Sequence, residues 1–125
     1  MKRAILLVDH GSRRSEANAL LDEIAALVAA RLPNSVVRTA HMELAAPSIA
    51  EGLAACAAAG AREVVVHPYF LGPGDHSTND IPRLVATAAA DHPLLSVSIS
   101  EPLGCHPKLV DVILDRVAAV APVED

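Results

Sequence analysis

The stretch that decides the fold runs from Val66 to Pro82 and reads VHPYFLGPGDHSTNDIP. It begins with the end of an apolar, β-branched run and passes through a turn rich in glycine and proline. It then reaches His76 and polar residues suited to the start of a helix. A histidine that follows a buried strand in this way is placed to meet a molecule from solvent. The connection around His76 is therefore the first candidate for a functional site.

The beginning of the chain has the same arrangement. An apolar run from Ala4 to Val8 is followed by DHGSRRSEAN, so that His10 also lies just beyond a predicted strand. Apolar residues then recur at helical spacing over about residues 15 to 31, with Ser15 as a candidate cap. Both histidines thus stand where a buried strand passes into a helix.

The rest of the sequence completes four strand–helix units, with strands starting near residues 4, 36, 64 and 95. The first and third strands are continuous apolar runs, whereas the second and fourth mix polar and apolar residues as edge strands do. This pattern predicts an α/β domain over residues 1–121, followed by a tail at 122–125. The sheet is expected to be parallel, in the order 2-1-3-4, with helices on both faces. In the last helix an apolar face is expected to turn inward: Leu109, Val110, Ile113, Leu114 and Val117.

The predicted strand order makes His10 and His76 neighbours in space. Ligands of open parallel sheets bind beyond the carboxyl ends of the strands, near the point where the strand order reverses. Here that point lies between strand 1, which His10 ends, and strand 3, which the loop carrying His76 follows. Two neutral imidazoles can hold a divalent transition metal and leave coordination positions open, as suits a metal that is passed on. The alternative is that each is a loop histidine bonded to backbone.

Further polar residues are expected on the same side of the sheet. Glu43 follows strand 2 and is a candidate proton acceptor or third ligand, or else a carboxylate favoured by the next helix start. His41 packs beside it, and His106 is a candidate cap of the last helix. His67 is expected to be a buried histidine with a satisfied hydrogen bond.

Two short segments are candidates for substrate binding. Residues 12–14 stand at a helix start, where backbone N–H and guanidinium groups can bind an anion, although the arginines are equally expected in solvent. The aromatic pair and leucine at 69–71 form an apolar wall that either contacts a flat ligand or closes the core. The candidate substrate-binding residues are Ser12, Arg13, Tyr69, Phe70 and Leu71.

Composition excludes several classes of protein. The formal net charge of -5 argues against general affinity for nucleic acid or acidic membranes. No apolar run approaches the roughly 20 residues that span a bilayer. The two cysteines lack CxxC spacing, which favours a reduced, cytoplasmic protein. Neither GxGxxG nor GxxxxGK[ST] occurs, so a dinucleotide or P-loop nucleotide is not expected.

The segments VDHGSRRSEAN, MELAAPSI and HPYFLGPGDHSTNDIP together resemble the small CbiX-type chelatases, which are sirohydrochlorin cobaltochelatases, and the related sirohydrochlorin ferrochelatase. The later EPLGCHPKLVDVILDRV is similar to the family's last β-α unit. The resemblance implies a chelatase-like (flavodoxin-like) class II half-domain that works as a homodimer. It also implies that His10 and His76 bind the metal and serve its insertion, with Glu43 near the same cleft. Asp75 departs from the family, in which a basic residue often precedes the histidine.

The resemblance implies insertion of a divalent metal, Co²⁺ or else Fe²⁺ or Ni²⁺, into sirohydrochlorin. The metal is then a substrate, and no permanently bound cofactor is expected. Imidazole and carboxylate serve all three metals, so the residues do not select among them. Two alternatives remain open from the residues alone. One is a metal-binding protein or metallochaperone without enzymatic activity, and the other is a regulatory domain that binds an anion at residues 12–14.

Overall fold

The computed structural model describes residues 2–121, and the predicted tail at 122–125 lies outside the described residues. Strands and helices alternate along the chain as four β-α units. The elements are β1 (Arg3–Asp9), α1 (Ser15–Arg31), β2 (Val36–His41), α2 (Ile49–Ala58), β3 (Glu63–Pro68), a π-helical turn (His76–Asp80), α3 (Ile81–Ala89), β4 (Ser96–Ile99) and α4 (Pro107–Ala118).

The four strands form one parallel sheet in the order β2-β1-β3-β4, which confirms the predicted topology. The two central strands carry the continuous apolar runs, and one face of each lies fully buried in the core. Side chains alternate across the sheet, so Leu6 and Val66 point to one face, while Leu7 and Val65 point to the other.

The first of these faces is covered by α2 and α3, and the core lies there. Its buried members include Leu6, Val66, Leu53 and Ile81. Gly52 lets α2 approach the sheet closely, since a Cβ at this position would lie 2.8 Å from Cδ1 of Leu6. A capping box starts α2: the Ser48 side chain accepts from the backbone N–H of the third helical residue, whose own side chain accepts from the Ser48 N–H.

Helix α1 lies on the other face, above β2 and β1. The Thr39 hydroxyl donates a 2.8 Å hydrogen bond to Asp22, which ties one flank of α1 to β2. Helices therefore lie on both faces of the sheet, as expected. The predicted cap of α1 is wrong in detail: the N-cap position is Arg14, which makes no side-chain capping bond, and Ser15 is the first helical residue.

The prediction for the last helix is wrong. Helix α4 is amphipathic, but none of its residues is buried against the part of the chain that the structure describes. The five residues expected to point inward instead remain half-buried or exposed: Leu109, Val110, Ile113, Leu114 and Val117. An apolar stripe predicts that a helix has a partner, but it does not say whether that partner belongs to the same chain.

Candidate functional site

The site is built where β1 and β2 end side by side. The backbone ladder continues past both strands, since Met42 N–H donates to the Asp9 carbonyl at 2.9 Å and Glu43 N–H donates to the His10 carbonyl at 3.0 Å. Gly11 makes this close approach possible. Its φ is +92°, and a Cβ there would lie 1.8 Å from the Glu43 carbonyl oxygen. His10 and Glu43 are thus placed together by backbone geometry.

Both ring nitrogens of His10 face oxygen atoms. Nδ1 lies 3.1 Å from the Gly11 carbonyl oxygen, and Nε2 lies 3.0 Å from Oε1 of Glu43. A carboxylate accepts, so the contact with Glu43 is made through a proton on Nε2 of His10. A metal ion that takes the Nε2 lone pair therefore has to displace that proton. Glu43, whose side chain is 55% exposed, is the acceptor within reach and is open to solvent.

The structure brings His76 to His10, with ring centroids 4.8 Å apart and ring planes at 63°. His76 was expected in a loop, but it is the first residue of the π-helical turn that leads into α3. The wider turn is closed by the Ile81 N–H, which donates to the His76 carbonyl. The Ser77 hydroxyl accepts from Gly74 N–H at 3.1 Å and so ties the turn to the preceding loop.

Asp80 is a site residue that the sequence reasoning missed. Its Oδ2 lies 3.0 Å from Nδ1 of His76, one helical turn away. Nδ1 must carry the proton in this bond, which leaves the Nε2 lone pair of His76 available as a ligand. The hydrogen bond from His76, with a smaller contribution from Arg83, holds the pKa of Asp80 below its usual value. The HSTND spacing, histidine and carboxylate at i and i+4, was the sequence signal for this pair.

An open cavity of about 550 Å³ adjoins His10, within the roughly 300–1,000 Å³ typical of small-molecule pockets. Four of the five predicted substrate-binding residues line it: Ser12, Tyr69, Phe70 and Leu71. Arg13 is exposed and does not line it. Both aromatic side chains line the cavity, and Phe70 also packs against the core.

The start of α1 differs from the expected anion site. The Ser12 N–H donates to Oδ1 of Asn18 at 2.9 Å, and Nδ2 of Asn18 donates back to the Ser12 carbonyl at 2.7 Å. The Ser12 backbone is therefore already hydrogen-bonded within the protein. Asn18 also lines the cavity, and its polar amide was not recognised from the sequence.

Three further histidines have structural partners. His41 is buried and lies 2.5 Å from Asp9, measured from Nδ1 to Oδ1. Nδ1 of His67 lies 2.8 Å from the Ser100 hydroxyl, and burial lowers the pKa of His67. His106 caps α4, since its Nδ1 accepts from the Lys108 N–H at 3.1 Å. These positions agree with the structural roles expected for them.

The arrangement offers two imidazoles to a metal ion. Among residues 2–121, no three His, Cys, Asp or Glu side chains are grouped so that they could hold a metal ion. Two imidazoles with open coordination positions, each beside a carboxylate, are suited to an ion that arrives and leaves. Within the same residues, no helix is long and apolar enough to cross a membrane.

Comparisons with known proteins point to one family. The CbiX family model matches residues 4–120. The sirohydrochlorin ferrochelatase of Arabidopsis thaliana, a chloroplastic protein, is 46% identical over 90% of this chain, which spans 50% of that protein. The sirohydrochlorin cobaltochelatase of Methanococcoides burtonii is 32% identical over 95% of this chain and is matched over 97% of its own length.

Solved structures agree. The sirohydrochlorin chelatase SirB from Bacillus subtilis subspecies spizizenii, crystallised with cobalt, superposes with a TM-score of 0.89 at 32% identity, covering 97% of this chain and 52% of that one. A cobalamin biosynthesis CbiX protein from Marinobacter aquaeolei gives a TM-score of 0.79 at 28% identity, covering 94% and 96%. With its sheet order, its paired histidines and a match along almost its whole length, the chain belongs to the CbiX family.

Proposed function

We propose that this protein inserts a divalent metal into a sirohydrochlorin-type tetrapyrrole, with Co²⁺ as the first candidate and Fe²⁺ and Ni²⁺ as the others. The observation that carries the proposal is the row of side chains Glu43, His10, His76 and Asp80 at the rim of the sheet. It places two imidazoles 4.8 Å apart between two carboxylates, beside a cavity with an aromatic wall.

Metal binding is assigned to His10 and His76. Nε2 of His76 is available because Asp80 holds the proton on Nδ1. Nε2 of His10 becomes available when the proton that it shares with Glu43 is lost. Binding a divalent ion at this pair therefore displaces the proton from Nε2 of His10, and it replaces part of the ion's water shell with imidazole.

Insertion also requires two pyrrole N–H protons to leave the ring. Glu43 and His10 form a proton-accepting pair next to the metal position, and the half-exposed Glu43 can return protons to solvent. Tyr69 and Leu71 offer apolar contact to the flat ring. Ser12, which lines the cavity, and Arg13, which is exposed outside it, are assigned to the carboxylates of the ring. The metal is consumed as a substrate, so no resident cofactor is part of the proposal.

The proposed assembly rests on how much of each relative the chain spans. The chain spans about half of the Arabidopsis ferrochelatase and nearly all of the Methanococcoides cobaltochelatase. We therefore assign residues 1–121 to a single half-domain, with 122–125 as a tail, that works as a homodimer in the cytoplasm. The bound partner is the tetrapyrrole, and neither nucleic acid nor membrane is involved.

The test is anaerobic incubation with sirohydrochlorin and each metal, followed by the absorption spectrum of the tetrapyrrole. Wild-type protein should accelerate the spectral change over the rate without protein. The double variant His10→Ala/His76→Ala should lose that acceleration and keep its circular dichroism spectrum. His92→Ala, which removes a turn histidine away from the rim, should behave as wild type.

Two results would count against the proposal. Insertion at the wild-type rate in the double variant would show that the two imidazoles are not needed for insertion. Metal binding by the wild-type protein without any change in the tetrapyrrole spectrum would instead identify a metal-binding protein that performs no insertion.

A further inference from the structure

Leu44 has a backbone conformation that a leucine rarely adopts. Its φ is +69°, in the left-handed region, where the Cβ of an L-amino acid comes too close to the carbonyl oxygen that follows it. Three other residues among 2–121 have a φ in this region, and all three are glycines: Gly11, Gly60 and Gly104. Glycine has no Cβ and adopts this conformation without strain. Position 44 therefore keeps a strain that a glycine would remove.

The side chain of Leu44 does not offset this strain by packing inside the chain. It is 52% exposed, whereas Met42, two residues earlier, packs against the core. An exposed leucine is common on protein surfaces and by itself needs no explanation. An exposed leucine on a strained backbone does need one, because neither feature stabilises the fold. Strained backbone conformations of this kind are concentrated at functional sites.

Leu44 stands at the functional site. It directly follows Glu43, whose backbone N–H donates to the His10 carbonyl at 3.0 Å. Gly11, on the other side of His10 along the chain, also has a left-handed φ, of +92°. Both left-handed residues thus border the segment where β1 and β2 end side by side. At Gly11 the close approach leaves no room for a side chain, but at Leu44 a large apolar one is present and exposed.

A second exposed leucine occupies the matching place on the other side of β1. Leu44 lies three residues beyond the end of β2, and Leu71 lies three residues beyond the end of β3. Leu71 is 79% exposed and lines the cavity beside His10. Since β2 and β3 are the two neighbours of β1, they lie about 10 Å apart, with His10 between their ends. The two leucines therefore flank the histidine from opposite sides.

We propose that Leu44 is a binding residue for the flat, apolar face of the tetrapyrrole, so that one leucine contacts the ring on each side of the histidine pair. The inference rests on the proposed function and extends its apolar contacts from the β3 side of the site to the β2 side. The contact covers apolar surface of Leu44 that is exposed when the ring is absent. The strain at position 44 is then kept because glycine, which would relieve it, has no side chain to bind the ring.

Two substitutions separate the side chain of Leu44 from its backbone. Leu44→Ala removes most of the side chain but keeps a Cβ and hence the strain, whereas Leu44→Gly removes both. The first measurement is the dissociation constant of sirohydrochlorin without metal, followed by the absorption and fluorescence of the tetrapyrrole. Both variants should raise this constant by about tenfold.

Thermal melts give the second measurement. Leu44→Gly should raise the melting temperature by about 2–6 °C, because relief of the left-handed strain exceeds the added freedom of the unfolded chain. Leu44→Ala should leave it close to wild type. The matched control is Leu94→Ala, which truncates a leucine that is 74% exposed in the turn before β4, at the opposite rim of the sheet. This control should change neither sirohydrochlorin binding nor the melting temperature.

Three results would overturn the proposal. The first is wild-type affinity for sirohydrochlorin in Leu44→Ala. The second is weaker binding in Leu44→Gly alone, which would show that Leu44 acts through the backbone beside Glu43. The third is a melting temperature of Leu44→Gly at or below that of the wild type, which would show that no strain is held at this position.

The binding measurement also separates this inference from the proposed function. Wild-type protein that binds sirohydrochlorin but inserts no metal would refute the proposed insertion, while a tenfold loss of affinity in Leu44→Ala would still support the contact. Wild-type protein that does not bind sirohydrochlorin would overturn both. Sedimentation of Leu44→Ala is the last check, because a smaller species with unchanged sirohydrochlorin binding would assign the leucine to a contact between copies of the chain and overturn the proposal.

Discussion

Replacing Asp80 with asparagine tests whether the second carboxylate of the row acts through His76. The carboxylate accepts the Nδ1 proton of His76 at 3.0 Å and thereby keeps Nε2 free for the metal. Asparagine retains the size of the side chain but can also offer an N–H, which allows the other tautomer and other ring orientations. Loss of such an outer partner costs about 10- to 100-fold in metal affinity or activity. Because the Asp80 side chain is 34% exposed and water can partly replace it, we expect a loss of about tenfold.

The assay is the initial rate of metal insertion, measured at varied metal and then at varied tetrapyrrole concentration. For Asp80→Asn, the KM for the metal should rise, whereas the KM for the tetrapyrrole should stay close to wild type. Asp75→Asn is the control, because it removes the same charge from the neighbouring position, and Asp75 contacts Asn79 instead of His76. Equal increases in the KM for the metal in the two variants would refute the reasoning, because they would show that Asp80 acts only through its negative charge.

Three further predictions concern the framework. Gly52→Ala should lower the free energy of unfolding in urea by about 1–3 kcal/mol, because its Cβ would lie 2.8 Å from Leu6 Cδ1; unchanged stability would show that α2 can shift at no cost. Gly11→Ala places a Cβ 1.8 Å from the Glu43 carbonyl oxygen. The substitution should displace Glu43 and slow metal insertion by about 100-fold. Insertion at the wild-type rate would contradict the close approach of the two segments that follow β1 and β2. Burial lowers the pKa of His67, so the folded state binds its proton less readily than the unfolded chain; stability should be full above about pH 6.5 and fall as the pH drops below it. As the pH is lowered, the melting temperature of His67→Gln should fall less than that of the wild type. Parallel curves of melting temperature against pH for the two proteins would exclude His67 as the source of the fall.

The fold followed from the sequence because burial in a parallel sheet leaves a clear pattern. Continuous apolar runs indicated the two central strands, and mixed polar and apolar residues indicated the edge strands, so the sequence predicted the order 2-1-3-4 that the structure has. The same order brought His10 and His76 to one rim, and their rings lie 4.8 Å apart. The metal-binding and catalytic roles given to them, and to Glu43, stay predictions that the variants above are designed to test.

The missed features depend on contacts that sequence spacing does not determine. The HSTND spacing allows Asp80 to contact His76, but the π-helical turn that brings the two side chains together has no recognisable sequence pattern. Asn18, in the first turn of α1, hydrogen-bonds the backbone of Ser12 six residues earlier, a contact that local propensity does not predict. The orientation of α4 was wrong because an amphipathic helix looks the same whether its partner is its own sheet or another molecule.

The two imidazoles are carried by backbone of unequal regularity. His10 extends a strand that is hydrogen-bonded to a neighbour on each side, so its position is set by the centre of the sheet. His76 stands at the first residue of a π-helical turn, on a segment joined to the sheet through a loop. Ions of different radius need different nitrogen-to-nitrogen separations, and the adjustment has to come from the His76 side. In the proposed metal site, one fixed and one adjustable donor would give the pair tolerance for ionic size. Discrimination between cobalt and iron would then have to come from supply of the ion and from the ring that receives it.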